Sequence, residues 1–171
     1  FSFVSEENAR KNLEAEMLGR SFAAVRSEAT AVWNDLLGRI RVEGGTEREK
    51  GLFYSCLYRS FLWPALRSDV NGEFTDADGE VVNTGFRYYT GPSYWDDYRN
   101  KLILLGLLAP DVAADVISSD TDRGEKQGGF MPTFFHGDHA SAFVAGVYLR
   151  GIRGFDVRRA YELVLRNATV Q

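Results

Sequence analysis

The chain has 171 residues, which is enough for one domain with a hydrophobic core, and 44% of them are hydrophobic. Its formal net charge is −4, and no basic stripe is present, which argues against a nucleic-acid partner. No apolar run reaches the roughly 20 residues of a membrane span. The first residue is Phe1, and no signal peptide is visible, so we expect an internal segment of a longer protein.

The first third of the chain predicts three helices. The first covers residues 6–17 behind a possible cap at Ser5, and an amphipathic pattern predicts the second from residue 21 to about residue 40. The third follows a capping box at Thr46 and Glu49 and ends before Pro64. Its apolar face is nearly continuous, so we expect burial of this face and of the lone Cys56, and core positions for Trp33 and Trp63.

The rest of the chain predicts a hairpin followed by more helices. Asn-Gly and Asp-Gly turn dipeptides at positions 71–72 and 78–79 indicate a short hairpin or a long loop. Further helices are predicted over residues 95–108, from 110 to about 118, from 138 to 150, and from 156 to 167. The polar, glycine-rich residues 119–129 predict a loop between them. Helices joined by long connections favour an α/α toroid, with an irregular helical bundle as the alternative.

The strongest candidate site is the sequence SYWDDYR at residues 93–99. Trp95 offers a flat apolar face to a sugar ring, while Asp96, Asp97 and Arg99 offer hydrogen bonds to its hydroxyl groups. The run lies where a loop enters an apolar helix, so these side chains can point into a cavity. The alternative is an aromatic helix start with an aspartate cap and an internal Asp–Arg pair.

A second candidate is the sequence HGDH at residues 136–139, which contains both histidines of the chain. It could supply a metal pair or a general base, but no further Cys or His is arranged to complete a zinc site. Asp138 could contact a sugar or could simply cap the next helix, and both readings stay open. The sequence at residues 76–80 has the look of a calcium loop but lacks the required downstream glutamate, so turn chemistry explains it better.

Taken together, these motifs resemble those of glycoside hydrolase family 92, the calcium-dependent exo-acting α-mannosidases. The resemblance covers essentially the whole chain, and its motifs are specific in combination. One departure is Asp97, which stands where the family usually has threonine. The matching blocks are FVS at 3–5, ENAR at 7–10, NLE at 12–14, VEGG at 42–45, FY at 53–54, LYRS at 57–60, DVNG at 69–72, SYWDDYR at 93–99, GDHA at 137–140, RGIRGFD at 150–156 and AYE at 160–162.

The resemblance implies a mainly α fold that forms part of an (α/α)6 barrel with a short β-hairpin insertion. Residues 1–20 would be a linker helix entering the catalytic domain, and residues 21–171 would be the first part of that domain. The upstream β-sandwich and the downstream half of the barrel would lie outside this chain. The blocks that carry the acid and base in the family do not occur in this sequence, so no catalytic residue is expected within it.

The resemblance also implies an activity, a metal and a location. The intact enzyme would remove terminal α-linked mannose from glycans with inversion, using Ca²⁺ whose ligands lie mostly outside this chain. It would be secreted, periplasmic or on the cell surface. The alternative is a non-catalytic carbohydrate-binding or structural helical module. The residues expected to contact the sugar are Trp95, Asp96, Asp97, Arg99, Asp138 and His139.

Overall fold

A computed structural model describes residues 1–133 and 135–170. These residues form eight helices and one two-stranded antiparallel sheet, which confirms the prediction of a mainly α fold with a short hairpin. No helix among them is both long and apolar enough to cross a membrane. The elements are α1 Glu6–Glu16, α2 Phe22–Leu37, α3 Glu47–Ser60, β1 Phe74–Thr75, β2 Val81–Val82, α4 Tyr94–Asp97, α5 Lys101–Leu108, α6 Pro110–Lys126, α7 His139–Leu149 and α8 Val157–Thr169.

Most helices begin where a local capping signal predicts. The capping box at the start of α3 is complete, because the Thr46 hydroxyl accepts from the Glu49 amide and the Glu49 carboxylate accepts from the Thr46 amide. Asp138 and Asp156 cap α7 and α8 through their side chains. In the hairpin, the carboxylate of Asp76 accepts from two backbone amides of the turn, as the turn interpretation requires.

The core lies among the last four helices, with α6 at its centre. Ile117, Val116 and Ala113 of α6 are completely buried, and α5, α7 and α8 each pack against this helix. Gly124 permits a close approach, since a Cβ atom there would lie 2.4 Å from the Phe130 carbonyl oxygen and 2.9 Å from Leu163 Cδ1. Apolar burial of this kind stabilises a fold by about 1.5–3 kcal/mol for each large side chain.

The structure corrects two predicted boundaries. Helix α6 continues to Lys126, so residues 119–126 are helical and are not the loop that their polar composition predicts. The polar residues 119–122 are buried because their side chains find partners inside the protein. The helix predicted over residues 95–108 is interrupted between α4 and α5, where the Asn100 side chain accepts from the Lys101 amide and caps α5.

The predicted burial of the α3 face was wrong. Within the described residues Leu57 is the one buried position of α3, whereas Leu52 is 65% exposed and Cys56 is exposed. The core position predicted for Trp63 was also wrong, because this side chain is 44% exposed. The reason is that α3 packs mainly on α2, through Trp33 and Tyr58 among other contacts, and this pair leaves its outer faces uncovered.

Candidate functional site

The one-turn helix α4 presents Trp95 and Asp96 on the protein surface. Tyr94, which begins the helix, is buried, whereas Trp95 is 45% exposed and Asp96 is also exposed. The Ser93 hydroxyl donates to Asp96 Oδ2 at 2.5 Å. An exposed indole beside a carboxylate with a fixed orientation is a suitable pair for a ring that has one apolar face and a hydroxylated edge.

The start of α7 lies beside α4 and brings the second candidate motif to the same place. The His139 ring stacks on the Tyr98 ring, with centroids 4.3 Å apart and an angle of 7° between the planes. Asp138 caps α7, accepting from the Ser141 amide at 3.1 Å and from the Ser141 hydroxyl. The two sequence motifs therefore meet in space, and Asp138 is a helix cap as well as a neighbour of the candidate site.

Asp97 and Arg99 are less available than the sequence indicates. The Lys101 ammonium lies 2.6 Å from Asp97 Oδ2, and both side chains are mostly buried. The Arg99 guanidinium lies over the Tyr98 ring, 5.0 Å from its centroid. In the described part of the chain Asp96 and Arg99 form no ion pair, so the internal Asp–Arg pair considered from the sequence is not present.

An aromatic neighbour of Trp95 was missed from the sequence. The Phe135 ring centroid lies 6.2 Å from that of Trp95, and Phe135 is 71% exposed. Its φ of +62° is unusual for a residue other than glycine and strains the backbone. No sequence signal marks this conformation, although the aromatic run at 134–135 beside HGDH is a compositional hint.

Beneath α4 lies a buried polar network that sequence reasoning also missed. The Tyr94 hydroxyl donates to Asp120 Oδ2, and Arg123 donates to Asp120 Oδ1. Burial and the neighbouring Asp120 carboxylate raise the pKa of Tyr94 well above 10, so its hydroxyl keeps the proton that it donates. The i,i+3 spacing of Asp120 and Arg123 would have indicated the pair if α6 had been predicted at full length.

The described residues do not offer a site for calcium or zinc. They contain no group of three or more side chains of Asp, Glu, His or Cys that could hold a metal ion together. Ca²⁺ takes six to eight oxygen ligands, whereas the carboxylates near α4 are engaged with protein groups: Asp96 with Ser93, and Asp97 with Lys101. In the hairpin, Asp76 Oδ2 binds the Lys126 ammonium at 2.6 Å.

The sequence matches a known protein family over nearly its whole length. The profile of the "Glycosyl hydrolase family 92 catalytic domain" matches residues 8–171, and the chain belongs to this family. A relative from Arthroderma benhamiae, an uncharacterised secreted glycosidase, is 36% identical over 99% of this chain. The match covers 20% of that protein, so the chain spans about a fifth of its length.

Solved structures show the same relationship. A family 92 α-mannosidase from Bacteroides thetaiotaomicron superposes with a TM-score of 0.91 and 29% identity, over 98% of this chain and 24% of that one. A family 92 inverting mannosidase from the same organism gives 0.88 and 29%, over 99% of this chain and 24% of that one. The predicted family and the predicted fold, part of an (α/α)6 barrel with a hairpin insertion, are both confirmed.

Proposed function

We propose that this chain is part of an α-mannosidase that removes terminal α-linked mannose from glycans. The observation that carries the proposal is the match to two mannosidases at 29% identity over nearly all of its residues, with TM-scores of 0.91 and 0.88. The local geometry supports it, because Trp95 and Asp96 stand exposed beside the start of α7.

In this proposal the chain grips the mannose unit that precedes the broken bond. Trp95 packs on the apolar face of the ring, and Asp96 accepts a hydrogen bond from a sugar hydroxyl, with Oδ2 already oriented by Ser93. Arg99 and His139, both of which contact Tyr98, and the capping residue Asp138 flank this contact. Asp97 is the weakest candidate, because Lys101 already neutralises it.

Hydrolysis with inversion needs one carboxylic acid to protonate the leaving oxygen and one carboxylate to activate water. We assign neither role to a residue of this chain and place both in parts of the enzyme beyond residues 1–171. Calcium dependence is proposed for the intact enzyme, with ligands outside the residues described here. The isolated chain is therefore expected to bind sugar weakly at most and to show no turnover above a heat-inactivated control.

The partners of the intact enzyme would be mannose-containing glycans and the rest of its own catalytic domain. We propose a secreted, periplasmic or cell-surface location. The secreted glycosidase to which this chain is 36% identical supports that location. Extracellular glycans are the substrates that such a location makes available.

The test is turnover of an activated aryl α-mannoside by the intact protein, meaning the complete natural chain that contains these residues. We expect hydrolysis of the α-mannoside and no comparable hydrolysis of the α-glucoside. Proton NMR at early times should show β-mannose as the first product, and a chelator should abolish turnover until Ca²⁺ is restored. Binding of mannosides without turnover would instead support a carbohydrate-binding module.

A single substitution tests the sugar contact. In the intact protein, Asp96→Asn should lower kcat/KM by tenfold or more, because a charged hydrogen bond to a hydroxyl contributes about 1.5–3 kcal/mol. The melting temperature should not change, since Asp96 is exposed and bonds only locally to Ser93. Asp78→Asn, at an exposed hairpin turn, is the control. Unchanged kinetics with lowered stability would leave Asp96 with a purely structural role.

A further inference from the structure

Two separate parts of α6 hold the segment that leads into the candidate site. Arg123 Nη1 donates to the Tyr89 carbonyl oxygen at 2.7 Å, and its guanidinium lies 5.0 Å from the centroid of the Tyr88 ring. One turn earlier, the Ser119 hydroxyl oxygen accepts from the Tyr89 amide at 2.9 Å. Residues 88–89 are thus fixed to α6 just before the loop that reaches α4.

Tyr94 fixes the other end of that loop to the same helix. Its hydroxyl donates to Asp120 Oδ2, while Arg123 Nε lies 3.1 Å from Asp120 Oδ1. Asp120 is completely buried, so both of its oxygens need partners, and here both have them. A buried network of this kind holds one geometry, because any other geometry leaves a charged oxygen unpaired.

Helix α4 needs this anchor because it cannot hold its own position. It has four residues, which is well below the length at which a helix is stable by itself. Ser93 does not cap its first amides, because the serine side chain binds Asp96 instead. Tyr94 also directly precedes Trp95 and Asp96 in the chain. A rotation of Tyr94 about the helix axis would therefore redirect both of these exposed side chains.

We propose that Tyr94, Asp120 and Arg123 are positioning residues that set the direction in which Trp95 and Asp96 meet the sugar. The proposal rests on the proposed function, because it concerns the same sugar contact. None of the three would touch the substrate. Their effect would pass through the orientation of α4, and small misplacements of contact groups are known to cost up to about 100-fold in rate.

The direct test is Tyr94→Phe in the intact protein, which deletes one hydroxyl and keeps the ring against Phe143. We expect kcat/KM on an aryl α-mannoside to fall about tenfold, mainly in kcat, because contacts that tighten at the transition state are the most sensitive to orientation. The matched control is Thr121→Val. Thr121 is a buried neighbour on α6 whose hydroxyl donates to the Ile117 carbonyl. The Thr121→Val variant should have a lower melting temperature and a kcat/KM within twofold of the wild type.

A double-mutant cycle separates positioning from a general loss of structure. Because Tyr94 is proposed to orient both Asp96 and Trp95, Tyr94→Phe should cost clearly less in the Asp96→Asn background than in the wild type, and the loss that remains reports the Trp95 contact. Losses that multiply would overturn the proposal, as would an unchanged kcat/KM for Tyr94→Phe. If Asp96→Asn has no effect, the sugar contact fails and the positioning role fails with it. If Asp96→Asn is impaired and Tyr94→Phe is not, only the positioning role fails.

A second variant keeps the test decisive if Tyr94→Phe does not fold. Arg123→Lys retains a positive charge opposite Asp120 but cannot bond Asp120 and the Tyr89 carbonyl with one planar fork. It should show the same pattern, a loss of kcat/KM that is clearly smaller in the Asp96→Asn background than in the wild type. A loss of the same size in both backgrounds would overturn the proposal.

Discussion

The first three helices and the last four differ in how many of their apolar side chains are buried. Helices α5 to α8 build a buried core around α6, where Val116 and Ile117 are completely enclosed, although Leu107 and Leu149 at the ends of α5 and α7 stay exposed. Helix α2 keeps every residue at least partly exposed within the described part of the chain, and Leu52 on α3 is 65% exposed. Both regions contain amphipathic helices, so helical periodicity alone does not determine which helix faces are covered.

In the N-terminal region, helix α1 is held in another way, by polar side chains that bridge distant segments of the chain. Asp69 accepts from the Ser2 hydroxyl at 2.5 Å and from the side-chain amides of Asn8 and Asn12 at 2.9 and 2.7 Å. Asn8 also donates to Glu73 at 2.8 Å. These bonds dock α1 and the N-terminus onto the hairpin. We therefore expect the stability of the two regions to respond differently to the removal of buried volume and to the removal of charge.

The largest difference is expected when buried volume is removed. Ile117→Ala should lower the free energy of unfolding by about 2–5 kcal/mol, because it leaves a cavity in a packed core. Leu52→Ala, on α3, should change it by no more than about 0.5 kcal/mol in the 171-residue chain. Denaturant unfolding of both variants measures this contrast. A loss above about 1.5 kcal/mol for Leu52→Ala in the intact protein alone would show that residues outside 1–171 cover this face.

Two helical glycines provide a sharper version of the same contrast. Gly124→Ala should destabilise by about 1–3 kcal/mol, because the new methyl group would overlap the Phe130 carbonyl and Leu163. Gly51→Ala should stabilise by up to about 1 kcal/mol, since a Cβ atom there would meet nothing within 4 Å and alanine is the better helix former. Melting temperatures of the two variants should move in opposite directions. A shared direction would contradict the difference in packing.

The features that the sequence could predict are those that depend on near neighbours. The capping box at Thr46 is local and was confirmed, and the cap that was one of two alternatives for Asp138 is present. The extension of α6 was missed because its buried polar residues are satisfied by distant partners, such as Tyr94 for Asp120. Polar composition then favours a loop in any local interpretation.

The candidate site shows the same limit. The exposed pair Trp95 and Asp96 could be proposed from the motif. That this motif and residues 138–139 lie side by side, as the Tyr98–His139 stacking shows, was expected only from the family resemblance. The ion pair of Asp97 with Lys101 follows the i,i+4 spacing and could have been inferred. The approach of Phe135 could not, because it depends on a positive φ that no residue type at that position signals.

The smallest expected effect is a pH dependence of the polar contacts that dock α1. Burial raises the pKa of Asp69, but hydrogen bonds from Ser2, Asn12 and Asn8 outweigh it and hold the pKa below its usual value of 3.8. A carboxyl group whose pKa is lower in the folded state stabilises the fold above the unfolded pKa. That contribution is lost as the pH falls through the folded pKa. Acid should therefore weaken the docking of α1.

Asp69→Asn tests this assignment through its dependence on pH. At pH 7 the variant should be less stable than the wild type by about 1 kcal/mol, the net contribution of such hydrogen bonds. The difference should begin to shrink below about pH 4, where the carboxyl group of the unfolded wild-type chain takes up a proton, and it should close as the pH falls through the lowered pKa of the folded state. Ser2→Ala removes one of the three side-chain donors and should show a smaller difference of the same form. A gap that stays constant from about pH 7 to about pH 3 would mean that Asp69 contributes through packing, and the two regions would then differ less than their contacts indicate.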